Sequence, residues 1–284
     1  MARAAVVNLG DGFAARVLPG KEDVVFWIHG YTLDSTCWIR LWDHLPNWAH
    51  ISIDLPGHGN SLPLNGSEEL STLARKIGTL AIAHRARHLI ALSFGTVIAL
   101  QIALEYPDAF ATLTLGAPFM GGGPFDPQVW IRYKEVKALF RQAGYGPKIR
   151  DCWMGPGTSL FRNIETRPQL WDQLRHQVGR HPWWELSDDS YFWLWHTPHG
   201  VKELCRIGLP TLLLVGEEDC EAVKQCAHVL ERVISRCQRC DLPGLGHLCL
   251  LEDPAYVQPF IEQHWRAKVH QRRSTVSNDH AAHD

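Results

Sequence analysis

Five short apolar runs recur along the chain: Val24–Ile28, His50–Ile53, His88–Leu92, Thr112–Leu115 and Thr211–Val215. Each is continuous or nearly so, without the polar alternation of a half-exposed strand. Such runs suit strands covered on both faces of a parallel sheet. Between and after them lie segments with helical spacing: Ser35–Leu45, Ser67–His84, Phe94–Tyr106, Glu221–Ile234 and Pro254–Trp265. This alternation predicts an α/β fold, with a mostly parallel sheet flanked by helices. Ahead of it, Gly10-Asp11-Gly12 separates two β-rich runs and predicts an antiparallel hairpin at one edge of the sheet.

The rhythm stops between Phe119 and about Gly200, and resumes at Leu209–Val215. The interruption holds 15 of the chain's 28 aromatic residues, including seven of its twelve tryptophans. It predicts a mainly helical cap over 119–199, inserted into a core formed by 1–118 and 200–268. Most of its rings are expected to build the cap and pack it onto the sheet. Closely spaced tryptophans also lend themselves to an apolar substrate pocket, for which Trp130, Trp153, Trp183, Trp184, Trp193 and Trp195 are the candidates. Met120-Gly121-Gly122-Gly123-Pro124 at the start of the cap reads as a hinge. The tail 269–284, ending SNDHAAHD, has no periodic pattern and reads as disordered.

Composition narrows the function classes. With 45% hydrophobic and 20% charged residues, the 284-residue chain is not generally disordered. Lys and Arg number 28 against 30 Asp and Glu, a net charge of −2, which removes the electrostatic footprint of a dedicated nucleic-acid binder. No apolar run approaches the roughly 18 residues of a membrane span. The first twenty residues lack the sustained apolar stretch of a secretory signal. A chain of this size buries a core without covalent staples, so its eight cysteines read as reduced thiols in a cytoplasm. Cys237-Gln-Arg-Cys240 has no second pair to complete a metal site, and the histidines are scattered, so no metal is expected. One local bias stands out. Between Trp130 and Arg150, Arg132, Lys134, Lys137, Arg141, Lys148 and Arg150 face only Glu135. A solvated helix face explains it, and so does a docking surface for an anionic substrate or an acidic carrier protein.

Ala91-Leu92-Ser93-Phe94-Gly95 closes an apolar run, and a helix pattern follows at once. A serine on such a turn projects its hydroxyl off the sheet toward the positive end of the helix, while small neighbours let strand and helix pass closely. Ala91 stands where the G-x-S-x-G pattern has its first glycine. A serine hydroxyl needs a base, and the base needs a group to orient it. Thr211–Val215 runs into Gly216-Glu217-Glu218-Asp219, which places acids at the end of that strand, with Glu217 and Glu218 as rivals of Asp219. Asp241-Leu242-Pro243-Gly244-Leu245-Gly246-His247 then places a histidine in a glycine-rich loop. The order Ser93, Asp219, His247 matches the nucleophile–acid–histidine order of one known triad arrangement.

Four separate motifs in order make the chain resemble a serine hydrolase of the α/β-hydrolase fold with a cap, over about residues 20–118 and 200–268. Besides the Ser93 turn, they are Trp27-Ile28-His29-Gly30-Tyr31, which resembles the family's oxyanion loop, and Asp54-Leu55-Pro56-Gly57-His58-Gly59-Asn60-Ser61, which resembles its D-x-P-G-x-G-x-S loop. The fourth is Gly246-His247 through Glu252-Asp253-Pro254, which resembles its closing G-H-x-x-x-x-E-x-P segment. The resemblance implies an eight-stranded-type sheet, Ser93 as nucleophile, His247 as base and Asp219 as orienter. It also implies an oxyanion hole from the Tyr31 and Phe94 amides and no cofactor. His29 and His58 then read as structural. The segment after the run at 112–115, Leu115-Gly116-Ala117-Pro118-Phe119, offers no competing acid, and Ser at 93 argues against branches that use a carboxylate nucleophile. The expected activity is cleavage of an ester-like or related carbonyl bond of a small apolar or aromatic molecule through an acyl-enzyme. The alternatives are a thioesterase or product-releasing hydrolase of a biosynthetic pathway, a cofactor-free lyase or peroxidase, and a ligand-binding protein without turnover.

Overall fold

The computed structural model describes residues 4–64, 66 and 68–279, with side chains as far as 267. Eight strands form one sheet: β1 Ala5–Gly10, β2 Phe13–Leu18, β3 Val24–Ile28, β4 Ala49–Ile53, β5 Ala86–Leu92, β6 Thr112–Gly116, β7 Thr211–Gly216 and β8 Cys237–Leu242. Their order is β1-β2-β4-β3-β5-β6-β7-β8. β2 runs antiparallel to both neighbours, and every pair from β4 to β8 is parallel. The β1–β2 hairpin turns at Asp11, whose φ of 51° lies between two glycines that also have positive φ. Every residue of β6 and β7 is buried, as their unbroken apolar runs require of inner strands covered on both faces. β8, at the edge, is partly or fully exposed at every position except Leu242.

The helices are α1 Ile39–Trp42, α2 Leu70–Ala83, α3 Phe94–Glu105, α4 Pro127–Ala143, α5 Pro147–Trp153, α6 Pro168–Arg180, α7 Ser190–His196, α8 Val201–Leu204, α9 Glu221–Val233, α10 Cys249–Glu252 and α11 Pro254–Asp279. α2 buries Leu70, Leu73, Ala74, Ile77, Gly78 and Ala81, one face at helical spacing. α3 is apolar nearly all round because it is enclosed, and a Cβ on Gly78 would lie 2.4 Å from the Tyr106 ring that follows α3.

Three expectations change. The helix expected over Ser35–Leu45 is a 3₁₀ turn, Ser35–Trp38, followed by the single turn of α1, and it closes in further turns before Pro46. The residue before a proline disfavours helix, which limits the segment. The second helix starts at Leu70, and its expected start Ser67 lies outside the described residues. α11 continues to Asp279, through most of the tail read as aperiodic; residues 280–284 lie outside the described residues. Extending an existing helix adds one hydrogen bond for each residue ordered, so it needs no amphipathic pattern of its own.

The segment between β6 and β7 has no strand among the described residues, and its helices α4–α7 fill the stretch expected to be a cap. It lies over the loops at the carboxyl ends of the strands. Trp153 Nε1–H donates to Thr32 Oγ1 at 3.1 Å, Gln177 Nε2–H to Thr36 Oγ1 at 2.7 Å and Tyr191 O–H to the Pro56 carbonyl at 2.7 Å. The triple glycine that reads as a hinge is tightly packed. A Cβ on Gly121 would fall 2.1 Å from the Thr197 carbonyl, and the Gly121 amide donates to His199 Nδ1 at 2.9 Å. Close approach of backbones explains these glycines.

Candidate active site

Strand register decides which loops meet. Leu92 pairs with Gly116, Gly116 with Leu214, and Gly216 with Leu242, so β5, β6, β7 and β8 end nearly level. The loops after β5, β7 and β8 therefore leave the sheet at one edge, the place where open parallel sheets bind ligands.

Ser93 sits between β5 and α3 with φ 53° and ψ −123°. A non-glycine residue there is strained, and such strain persists only where surroundings enforce it. The Ser93 amide donates to the Gly116 carbonyl at 2.9 Å, and its carbonyl accepts from the Thr96 amide at 2.8 Å. A Cβ on Gly95 would lie 2.6 Å from the carbonyl oxygens of Ile28 and His29, so only glycine fits beneath the turn. Ala91 pairs with Ile28 and Leu115 inside the sheet and has ordinary strand backbone, so its methyl carries no conformational penalty.

Ser93 Oγ lies 2.8 Å from His247 Nε2, and His247 Nδ1 lies 3.0 and 3.1 Å from the two carboxylate oxygens of Asp219. All three are buried. Nδ1–H donates to the carboxylate, which leaves Nε2 as the acceptor for the serine hydroxyl. The loop carrying His247 is pinned by Glu252, whose carboxylate accepts the Gly246 and Leu248 amides at 2.9 and 3.1 Å. A Cβ on Gly216 would strike the Gly246 carbonyl at 2.2 Å, so that glycine lets the acid and histidine loops cross. Of the rival acids, Glu217 and Glu218 are exposed, and neither contacts His247.

Tyr31 lies on the turn after β3, whose Gly30 packs against the Ser93 side chain, and Phe94 follows Ser93 and opens α3. Among the described residues, neither amide has an acceptor within the protein. The Asp54 loop is a brace for this region. Its carboxylate accepts the Ser35 and Asn60 amides at 2.7 and 2.9 Å, and a Cβ on Gly59 would lie 2.4 Å from it. His29 donates from Nδ1 to the Gly30 carbonyl and accepts the Leu55 amide at Nε2. His58 donates to the Pro56 carbonyl and accepts the Thr32 amide. Burial holds both histidines below the usual pKa, so both are neutral pins of the loops. Among the described residues no group of His, Cys, Asp or Glu is placed to hold a metal ion, and all eight cysteines are free.

An apolar pocket of about 30 Å³ lies beside Tyr31, lined by Phe125, Val129, Trp130, Tyr133, Trp153, Tyr191, Phe192 and Trp195, with His196 at its rim. Its walls turn their polar atoms away. The hydroxyls of Tyr31, Tyr133 and Tyr191 donate to Glu185, Asp189 and Pro56, and Trp153 Nε1–H donates to Thr32. Of the pocket tryptophans expected from sequence, Trp130, Trp153 and Trp195 line it. Trp183 is buried behind the wall, and Trp184 and Trp193 are 56% and 57% exposed. Sequence spacing does not tell which side of a short helix faces inward. Tyr31, Tyr191, Phe125 and Phe192 were not among the expected pocket residues, although a ring next to an expected oxyanion donor is a usable signal. Ser93 does not line the pocket; the Phe94 ring stands 5.0 Å from Tyr191 and 5.4 Å from Trp195 at its inner end.

Four of the six basic residues at 130–150 are engaged within the helical insert, Lys134 over the Trp130 ring at 5.7 Å among them. Arg132 pairs with Glu135 at 3.0 Å and donates to the Pro156 carbonyl, Lys137 pairs with Asp189, and Arg150 pairs with Asp151 at 2.8 Å. The stretch is therefore no uniform docking face, and a carrier-protein surface finds no support in it. No helix among the described residues is long and apolar enough to cross a membrane.

The family model described as "Alpha/beta hydrolase family" matches residues 24–258. The chain is 23% identical over 261 residues to a monoacylglycerol lipase of Xenopus laevis, covering 85% of this chain and 75% of that one. It is 25% identical over 262 residues to pyrrolizixenacetamide deacetylase of Xenorhabdus hominickii, covering 87% and 92%. In structure it resembles a thermophilic esterase from Thermogutta terrifontis, with a TM-score of 0.76 and 24% identity over 95% of this chain and 100% of the other.

Proposed function

The chain belongs to the α/β-hydrolase family and is a hydrolase, and from that premise we propose that it works as a serine hydrolase by two-step acyl transfer. One observation carries the reading: the continuous hydrogen-bonded line from Asp219 through His247 to the Ser93 hydroxyl. Ser93 Oγ attacks a carbonyl carbon while His247 Nε2 takes its proton. Asp219 keeps the ring in the tautomer that accepts this proton and stabilises the imidazolium that forms. The Tyr31 and Phe94 amides receive the tetrahedral oxyanion, and loss of one such donor typically slows the reaction about 10²–10³-fold. His247 then protonates the leaving group, the carbon–oxygen bond to it breaks, and the acyl group stays on Ser93. Water, deprotonated by His247, releases the acid and restores the enzyme.

The walls of the pocket at Tyr31 offer rings in place of hydrogen bonds, which supports an ester or related carbonyl substrate with a small apolar or aromatic group. At about 30 Å³ the pocket is small, so a bulky acyl group enters only if the rings part. The lipase and deacetylase it resembles are both named for cleaving carbonyl-linked groups.

The test is covalent. A fluorophosphonate probe should label Ser93, located by mass spectrometry. Labelling should vanish in Ser93→Ala and slow by about 10³-fold or more in His247→Ala. A panel of p-nitrophenyl esters should then show preference for short apolar or aromatic acyl groups over charged ones. A folded protein that forms no adduct overturns the reading in favour of a binding protein without turnover.

A further inference from the structure

A carboxylate is buried behind the Tyr31 wall of the apolar pocket. Glu185 lies in the 3₁₀ turn between α6 and α7 and is 4% exposed. Its Oε1 accepts the Tyr31 hydroxyl at 2.5 Å and the His181 Nε2–H at 2.9 Å. Burial alone would raise its pKa; the charge and hydrogen bond of His181 and the bond from Tyr31 outweigh this and hold the carboxyl below its usual range. A buried carboxylate is costly unless such partners are in place, and simple packing would be served as well by an apolar side chain.

Its position relative to the oxyanion turn gives it a use. Tyr31 is the second residue of the turn closed by the Leu33 amide on the Gly30 carbonyl. From the core, that turn is held on either side of Tyr31, at the Gly30 carbonyl by His29 and at the Thr32 amide by His58. The Tyr31 ring meets the core at His58, 6.0 Å away, and is otherwise surrounded by rings of the insert. The ring lies 5.4 Å from Trp153, 5.8 Å from His181, 6.1 Å from Trp183 and 5.8 Å from Tyr191. The bond to Glu185 is the directional contact in that set.

We propose that Glu185 is a positioning residue that ties the oxyanion turn to the helical insert through the Tyr31 hydroxyl, so that the hole is in register only while the insert is docked. This rests on the reading of Ser93 and the Tyr31 amide given above. When the insert parts to admit substrate, Tyr31 loses its anchor. When it closes, the same contact restores both the pocket wall and the donor. The selectivity of the enzyme for molecules that let the insert close then acts on rate as well as on binding.

Saturation kinetics of fluorophosphonate labelling of the full chain test this without a known substrate. The probe forms an Ser93 Oγ–phosphorus bond, His247 takes the hydroxyl proton, and fluoride leaves. Tyr31→Phe removes only the hydroxyl and keeps the ring, and Glu185→Leu removes the acceptor. Each should lower the maximal labelling rate about tenfold, with the half-saturating probe concentration within about twofold. The double variant should be no slower than the slower single one, because both remove one interaction. Glu185→Gln, which keeps an acceptor oxygen, should return the rate to within about threefold of the parent. If Glu185→Leu does not fold, Tyr31→Phe and Glu185→Gln still decide. Unchanged maximal rates, losses that appear only in half-saturation, or effects that multiply in the double variant would overturn the role of Glu185. Failure of the parent chain to label at Ser93 would instead overturn the acyl-transfer reading.

Discussion

Two tryptophan-rich regions share this chain and do different work. Trp27, Trp38, Trp42, Trp48 and Trp265 pack against the sheet, and none is more than 1% exposed. Trp27 lies 5.0 Å from Trp38 and 6.0 Å from Trp265, and Trp265 lies 4.9 Å from Trp48. In the insert, Trp153 and Trp183 are buried, Trp130 and Trp195 are half-buried around a cavity, and Trp184 and Trp193 face solvent. The residue type is the same; the number of layers is not. Core rings are closed between strands and α11. Insert rings have helices on one side and the pocket or water on the other, so they are free to shape a cavity.

The largest effect that separates the two regions should come from Trp265→Ala. Truncating a fully enclosed tryptophan removes its burial and leaves a void, at a cost of about 3–5 kcal/mol. Chemical denaturation should show this loss, while the order of preference among esters stays as in the parent. A loss under about 1 kcal/mol would erase the distinction between the regions.

A pH experiment sharpens it from the core side. His50 stacks on Trp42 at 4.9 Å, accepts Trp27 Nε1–H at Nδ1 and donates from Nε2 to the Leu45 carbonyl. Burial pushes its pKa down to about 4. A histidine with a folded pKa below its unfolded value of about 6.5 contributes stability above the unfolded value and loses it as pH falls through the window from about 6.5 to about 4. Protonation would also break the bond from Trp27. The parent should lose about 3 kcal/mol more than His50→Gln over this window, as followed by denaturant midpoints. Parallel curves would show that the core rings do not depend on a neutral His50.

On the insert side the expected changes are smaller and fall on activity. Trp130→Ala opens the pocket wall and should shift the ratio of kcat/KM between aromatic and short aliphatic esters about tenfold, with less than about 1 kcal/mol of stability lost. A stability loss equal to that of Trp265→Ala would make the insert a second core. Smallest of all, Trp193→Ser should leave stability within about 0.5 kcal/mol and the ester preference unchanged, since the ring is 57% exposed and lies off the pocket.

The alternation of apolar runs and helical spacing was enough to give the α/β class, the inner strands and the hairpin edge, because burial on both faces leaves a continuous apolar signature. Short elements were less legible. The segment after Asp34 has helical spacing, yet it forms a 3₁₀ turn and one helical turn before Pro46. Ala91 illustrates the opposite case: it departs from a glycine pattern, yet the backbone with positive φ belongs to Ser93 and not to Ala91.

The chain order alone determined that a serine, an acid and a histidine would follow strands: the serine and the acid each close a buried apolar run, and the histidine sits in the glycine-rich loop after the edge strand β8. Tertiary structure decided what local pattern does not encode. Level strand ends and close backbone crossings at Gly95 and Gly216 bring Ser93, His247 and Asp219 within hydrogen-bonding distance. Which tryptophans bound a cavity, and that a glutamate from the insert reaches the tyrosine beside Ser93, depend on how helices dock across 154 residues of chain. Contacts between distant segments are set by packing, and packing leaves no periodic trace in either segment alone.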